Sequence, residues 1–311
     1  MRVLVTGGTG FIGRHVVADL LAHGHTVTTL ARSPAPPDWR CPHHSVDVLD
    51  AAARDLARTA EAIVHLAGLP DVGYSQREPY RANLVNAAGT LNILEGARLG
   101  GARVVFLSTQ RVYARAAIPL AEDAPLAADN PYAVSKRVAE QWVAMYHTLY
   151  GVLTVILRGF SIYGPGQLVR GGSSGVVSIL AQRALAGLPL EVDRAALRDF
   201  VYVSDAAAAI RLALTAPQAV GRVYNVGTGI ATSLGELAER VRAVTGSHSP
   251  IRATAAHEAT GYVADITRIR ADLGYTPAIS LEEGLQRYVD WLRRAGAHPA
   301  QGAADAASAC R

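Results

Sequence analysis

The sequence predicts an α/β fold: a Rossmann-like doubly wound parallel sheet with a smaller lobe supplied by the C-terminal half. Three observations predict it. A first apolar run leads straight into a glycine-rich turn and a helical pattern, in "VLVTGGTGFIG". Short β-branched runs then alternate with longer segments of helical period, as crossover units on a parallel sheet require. After about residue 160 that alternation loosens, and a glycine-rich stretch, "GPGQLVRGGSSG", interrupts it.

In order, strands are expected near residues 2–6, 26–31, 61–66, 103–108 and 153–158, each a short apolar run of the kind buried on both faces. Helical periodicity falls between them near 12–23, 79–99 and 130–149, with a shorter unit around 43–57. Right-handed crossovers put the loops that follow the strands at one end of the sheet, where ligands bind. Residues 1–160 therefore read as a dinucleotide-binding domain. Helical patterns near 175–187, 204–215, 233–245 and 280–295 place a C-terminal substrate-binding lobe over 161–295. Residues 296–311, "AGAHPAQGAADAASACR" from Ala295 on, lack apolar periodicity and read as a flexible tail.

Half of the 311 residues are hydrophobic, enough for one large core or two coupled ones. The formal charge of +4 comes from scattered arginines rather than a basic run, which suits anionic small molecules and argues against nucleic acid as a partner. Cys41 and Cys310 are the only cysteines and have neither metal-ligand nor disulfide spacing, so no metal is expected and a reducing cytoplasm fits. The opening "MRVLV" is too short for a signal peptide, and no run reaches membrane-spanning length. A soluble cytoplasmic protein with no membrane partner is the expectation.

Gly7, Gly10 and Gly13 follow a strand and open a helix, with Phe11 and Ile12 at its start. Gly7 permits the tight turn, Gly10 lets the backbone approach a pyrophosphate, Gly13 lets helix and strand pack closely, and the helix amino end faces the negative charge. Tyr132 and Lys136, in "NPYAVSKRVAE", are four apart and share a helix face. A free phenol has a pKa of about 10, and a nearby ammonium favours its ionised form. Ser108 and Thr109 end a strand in "VVFLSTQRVYA", where a hydroxyl can bond a reacting oxygen. Thr109, Tyr132 and Lys136 thus form a proton-and-hydride constellation: Tyr132 moves the proton, Lys136 tunes it and holds a ribose, and Thr109 orients the substrate.

With these motifs, and with "VHLAG", "NAAGTLNILEGAR", "RDFVYVSD" and "YNVGTG" in order, the chain resembles the extended short-chain dehydrogenase/reductase family, in its nucleotide-sugar epimerase/dehydratase branch. The likeness runs from Arg2 to about Arg293. It implies that Asp47 and Val48 flank the adenine, that Leu66, Ala67 and Gly68 line the cofactor, and that Asn86 and Phe160 approach it. It further implies that Arg198 contacts the phosphates or ribose of a nucleotide-sugar, that Ser161 stands where an asparagine usually touches the substrate, and that the helices near 79–99 and 130–149 form a homodimer interface.

Departures from the family pattern narrow the expected function. Gln110 and Arg111 replace the Asp-Glu pair that 4,6-dehydratases use to remove water, which argues against dehydration. Alanines precede Glu258 where a late arginine is usual, and Pro70 replaces a common lysine. At the end of the second strand, Ala31 stands where NAD-preferring relatives carry a carboxylate, and Arg32 and Ser33 offer donors to a 2′-phosphate. NADP is therefore favoured over NAD, the lesser alternative being that Arg32 points to solvent from the strand end. A nucleotide-sugar 4-epimerase is the leading reading. A 4-ketoreductase of a nucleotide-linked keto-deoxysugar using NADPH, and a non-catalytic dinucleotide sensor, are the alternatives.

Overall fold

Seven parallel strands form the central sheet of the computed structural model, which describes residues 1–167, 175–254 and 261–296. In chain order the first half runs β1 (Arg2–Thr6), α1 (Phe11–Ala22), β2 (Thr26–Ala31), β3 (His43–Ser45), α2 (Ala51–Thr59) and β4 (Ala62–His65). Short helices α3 (Val72–Arg77) and α4 (Pro79–Asn83), a π-helical turn (Leu84–Ala88), α5 (Gly89–Gly100), β5 (Arg103–Thr109), a 3-10 turn (Gln110–Val112), α6 (Pro131–Tyr150) and β6 (Thr154–Gly159) follow. The second half adds β7 (Ile162–Tyr163), α7 (Val176–Leu185), β8 (Leu190–Val192), β9 (Leu197–Arg198), β10 (Val201–Tyr202), α8 (Val203–Thr215) and β11 (Val223–Val226). It closes with β12 (Thr232–Ser233), α9 (Leu234–Thr245), β13 (Ile251–Ala253), β14 (Gly261–Tyr262), α10 (Thr267–Leu273) and α11 (Leu281–Arg294).

The sheet order is β3-β2-β1-β4-β5-β6-β11. Winding reverses between β1 and β4, so the turn after β1 and the loop after β4 open a crevice at the switch point, the place where such sheets bind ligands. Residues 1–160 do not complete this sheet: β11 pairs with β6 from far beyond that boundary, Val223 against Ile156 through Val226 against Gly159. The segment expected as one helix over 79–99 is helical throughout but changes pitch at the π-helical turn, which contains Asn86.

Alternating side chains of the strands feed two cores. Val3, Val5, Val105 and Leu157 pack with Val16, Val17 and Leu20 of α1 and with Ala209, Ile210 and Ala213 of α8. Leu4, Ile63, Val104 and Phe106 point the other way, onto Ala53 and Ala57 of α2, Ile93 and Leu94 of α5, and Ala139 and Val143 of α6. A third core, including Leu180, Val192, Phe200, Val241, Leu285 and Val289, belongs to the lobe. Phe11 and Ile12 at the start of α1 pack against that third core and tie the lobe to the glycine turn. Part of the glycine-rich stretch (168–174), Glu258 and the tail from residue 297 lie outside the described residues.

Candidate active site

The crevice is built from the glycine turn upward. Gly7 has φ +70°, and a side chain there would put its first carbon 2.9 Å from the Ala67 amide nitrogen, so two loops touch through the absence of a side chain. At Gly13 the added carbon would collide with the carbonyl oxygen of Gly7, which is why α1 can begin directly over the turn. Gly10 caps α1 without a side-chain acceptor, and no acidic residue stands in the first turn. The first-turn N–H groups therefore face the crevice with the positive end of the helix dipole.

The opposite wall is the loop Leu66–Leu69. Leu66 and Ala67 donate their backbone N–H groups to Thr6 Oγ1 at 3.2 and 3.1 Å. Asn86 accepts from the Leu69 N–H at 2.7 Å, and its Nδ2 donates to the Leu69 carbonyl at 3.1 Å and to Ser135 Oγ at 2.9 Å. Asn86 thus staples the loop to the helix carrying Tyr132 and Lys136. Asp47 lies at the far end, engaged by Arg81 at 3.1 Å and accepting the Leu49 N–H at 3.1 Å. Val48 is buried in the second core, and Phe160 is fully buried 6.1 Å from the Tyr113 ring; both act as packing residues beneath the crevice. Ala31 is half-buried at the end of β2, while Arg32 and Ser33 are exposed beyond it. Among the described residues the Arg32 guanidinium has no hydrogen bond or ion pair.

Thr109, Tyr132 and Lys136 converge at the carboxyl end of β5. Asn130 caps α6 by accepting the Ala133 N–H at 3.0 Å, and Pro131 occupies its first turn, which fixes where the helix starts. Ser75 Oγ accepts the Tyr132 N–H at 3.1 Å, so α3 also anchors that turn. Burial raises the Tyr132 phenol above its ordinary range, while a hydrogen bond with Thr109 and the charge of Arg111 oppose the rise. The i, i+4 spacing puts Lys136 on the same face, but its ammonium donates to the Leu107 carbonyl at 2.6 Å. Burial pulls Lys136 down to about 7, against the favourable charge of Glu140. Thr109 and Arg111 both favour the ionised form of the Tyr132 phenol.

On the lobe side, Gln110 Nε2 donates to Ser161 Oγ at 3.3 Å, and the Ser161 N–H donates to Gln110 Oε1 at 3.4 Å. Arg198 donates to the Leu197 carbonyl at 2.7 Å, and its guanidinium lies 5.3 Å from the centre of the Tyr262 ring. Asp199 holds that strand end by accepting from the N–H and hydroxyl of Thr228 at 2.8 and 2.6 Å and from the Gly229 N–H at 2.8 Å. Arg111 approaches the same Tyr262 ring, at 5.7 Å.

These residues fit a dinucleotide. The glycine turn leaves room for a backbone-to-phosphate approach, the uncapped α1 terminus offers donors, and Ser108 Oγ is buried at the strand end without a hydrogen-bond partner among the described residues. The model of the NAD dependent epimerase/dehydratase family matches residues 3–227. The chain belongs to this family. Within it, the UDP-glucose 4-epimerase of Mycolicibacterium smegmatis is 33% identical over 315 residues, spanning 94% of this chain and 99% of that protein. The UDP-glucose 4-epimerase of Thermotoga maritima, solved with UDP-glucose, is similar at TM-score 0.88 and 30% identity, over 95% of this chain and 99% of that one. The Thermus thermophilus UDP-glucose 4-epimerase, solved with NAD, is similar at TM-score 0.84 and 34% identity, over 94% and 99% of the two chains.

Several residues that shape this family member's site escape a reading of motifs. Ser75 acts through a single hydroxyl in a segment without a distinctive pattern, and Ser135, although inside "NPYAVSKRVAE", acts through a contact with Asn86 that spacing does not reveal. Tyr262 is a lone aromatic whose partners come from β9 and the turn after β5. His65 belongs to "VHLAG", but the motif does not show that its ring bridges Thr6 and Thr90.

Proposed function

We propose that the protein is a nucleotide-sugar 4-epimerase working with NAD or NADP. The observation that carries this reading is the convergence of Thr109 and Tyr132 at the carboxyl end of β5, the threonine favouring the ionised phenol, beside buried Lys136 and with an amide, Gln110, next in sequence. A bound nicotinamide dinucleotide supplies a reversible hydride acceptor. Tyr132 takes the proton from the sugar 4-hydroxyl and returns it after the ring has turned over; Thr109 holds that oxygen during both transfers. Gln110 has no proton to exchange at neutral pH, so the general acid and base that loss of water would need are missing beside Thr109. The compared relatives are named as 4-epimerases, which favours this reading over the ketoreductase and over a non-catalytic sensor.

NADP is proposed as the preferred dinucleotide. Ala31 brings no carboxylate to the end of β2, and the exposed Arg32 guanidinium can meet a 2′-phosphate there. A homodimer through α5 and α6 is also proposed, supported by exposed Leu99, Val134, Met145, Leu149 and Tyr150 on these two helices. A cytoplasmic location is proposed from the two widely spaced cysteines.

Denaturing the purified protein and identifying any released dinucleotide, together with proton NMR of UDP-glucose incubated with it, tests the reading. Interconversion of UDP-glucose and UDP-galactose without net cofactor consumption is expected. Stoichiometric NADPH oxidation on addition of a 4-keto sugar nucleotide, with no epimerisation, overturns it in favour of reduction.

A further inference from the structure

Arg111 enters the epimerase chemistry only through its charge on the Tyr132 phenol, which leaves its hydrogen-bond donors without a task. It follows Thr109 by two residues, and its backbone N–H donates to Thr109 Oγ1 at 3.3 Å, so its position is locked to the hydroxyl that orients the reacting carbon. Its side chain is half-buried, and among the described residues its guanidinium forms no hydrogen bond or ion pair. It lies against the Tyr262 ring that Arg198 also approaches, and its charge is felt at both the Tyr132 hydroxyl and Arg198. Two guanidinium groups therefore share one aromatic ring, with Arg115 adding a third positive charge nearby and Asp193 as the acid near Arg198.

The geometry of a hexose tells these cations apart. Carbon 4 reacts between Thr109 and Tyr132. The nucleotide diphosphate hangs from carbon 1, across the ring, whereas the substituent of carbon 5 is next to the reacting carbon. The Arg111 charge reaches the Tyr132 hydroxyl, which sets it at the carbon-4 end, whereas Arg198 on β9 meets it at the Tyr262 ring. A planar guanidinium with a fork of donors, half-buried and without a counter-ion, matches a carboxylate better than a hydroxymethyl group.

We propose that Arg111 reads a carboxylate on carbon 5, so that this site prefers nucleotide-linked uronic acids to the neutral hexoses it also turns over. The inference rests on the 4-epimerase reading. Arg111 is a specificity-determining residue here and Tyr132 remains the proton carrier.

The test measures kcat/KM for 4-epimerisation of UDP-glucuronic acid and of UDP-glucose by the wild-type protein and by Arg111→Gln. A charge-assisted pair of this kind is expected to make the wild type about 30-fold more efficient on the uronate. Arg111→Gln should erase that difference by raising KM for UDP-glucuronic acid alone, while loss of its charge beside Tyr132 lowers kcat on both substrates alike. Should the variant fail to fold, the wild type is titrated calorimetrically with both sugar nucleotides, and at least tenfold tighter binding of the uronate is expected. Equal loss on both substrates assigns Arg111 to the diphosphate or to Tyr132 and overturns the inference, as does a wild-type preference for UDP-glucose. Absence of turnover and of binding for both nucleotides defeats the epimerase reading itself, a different outcome from either of these.

Discussion

Lys136 Nζ donates to the backbone carbonyl of Leu107 at 2.6 Å and lies 4.0 Å from the centre of the Phe106 ring. The contact ties the helix that carries Tyr132 to the strand that ends in Thr109, so the proton carrier and the orienting hydroxyl are held by one cross-link. It also sets the charge of Lys136, because a carbonyl and a ring face solvate an ammonium less well than water.

The first prediction concerns that charge. Burial brings Lys136 from an ordinary 10.5 down to about 7 in the folded protein. Between these values the unfolded chain holds a proton that the folded chain has released. Stability therefore rises with pH through this window, and below the folded value the group adds no further slope. In urea titrations from pH 7 to 9, Lys136→Met should flatten the curve by up to about 1.4 kcal/mol per pH unit. An unchanged slope would mean that the lysine is solvated in the fold.

Glu140 gives the second prediction. Its carboxylate accepts from Arg158 Nε and Nη2 at 3.0 and 2.9 Å, and both side chains are almost wholly buried. The Arg158 guanidinium also lies 4.7 Å from the centre of the Tyr113 ring. Removing the arginine as Arg158→Met leaves the buried carboxylate with only the more exposed Arg137, at 3.5 Å, and should cost about 3 kcal/mol in chemical denaturation. Glu140→Gln should lower the Lys136 pKa further, because Glu140 is the charge that supports it. The pH dependence of stability would then begin below 7, which the same urea series detects.

The third prediction follows from a directional chain of hydroxyls. Thr90 Oγ1 donates to the Asn86 carbonyl at 2.6 Å, so it has only a lone pair left for His65 Nε2 at 3.0 Å. The proton of the neutral ring is accordingly assigned to Nε2, and Nδ1 accepts from the Thr6 hydroxyl at 2.7 Å. Protonating Nδ1 would set two hydrogens face to face, and burial together with the charge of Lys136 pushes the ring down to about 3. The unfolded chain takes up this proton near pH 6.5 and the folded chain does not, so stability is lost progressively as pH falls from 6.5 towards 3. His65→Gln carries one donor and one acceptor but does not titrate. It should shrink the loss between pH 6.5 and 4 by about 1 kcal/mol or more per unit, measured by chemical denaturation.

Local signals made the glycine turn, Thr109, Tyr132 and Lys136 legible, because each depends on the end of one strand or on spacing along one helix. What spacing does not encode is where a long side chain ends. Helical periodicity put Lys136 beside Tyr132, but its four-carbon stem carries the ammonium to Leu107, a partner 29 residues away. The sheet shows the same limit. β11 is four residues long and pairs with β6 from more than 60 residues away in sequence, and β3 is a three-residue edge strand, His43–Ser45, without apolar character. Arg111 was visible as a departure from a dehydratase pair; its meeting with Arg198 at Tyr262 joins three segments distant in sequence.

The last prediction separates the two hydroxyls of the proton site. Tyr132 is held at its backbone by Ser75, and its phenol is pulled in opposite directions by burial and by Thr109 and Arg111. Tyr132→Phe removes the proton carrier and retains the ring, so kcat should fall by about 10²–10⁴ while dinucleotide affinity changes little. Thr109→Val removes the hydroxyl's contacts with the phenol and the reacting oxygen, together with the acceptor for the Arg111 N–H. A smaller fall is expected, about 10–10²-fold, together with an alkaline shift in the limb of the pH–rate profile that reports Tyr132, since a group stabilising its ionised form has gone. Steady-state kinetics of both variants from pH 6 to 10 check this. A Thr109→Val enzyme with reduced kcat and an unshifted limb would confine Thr109 to the substrate and leave Arg111 as the group that sets the phenol.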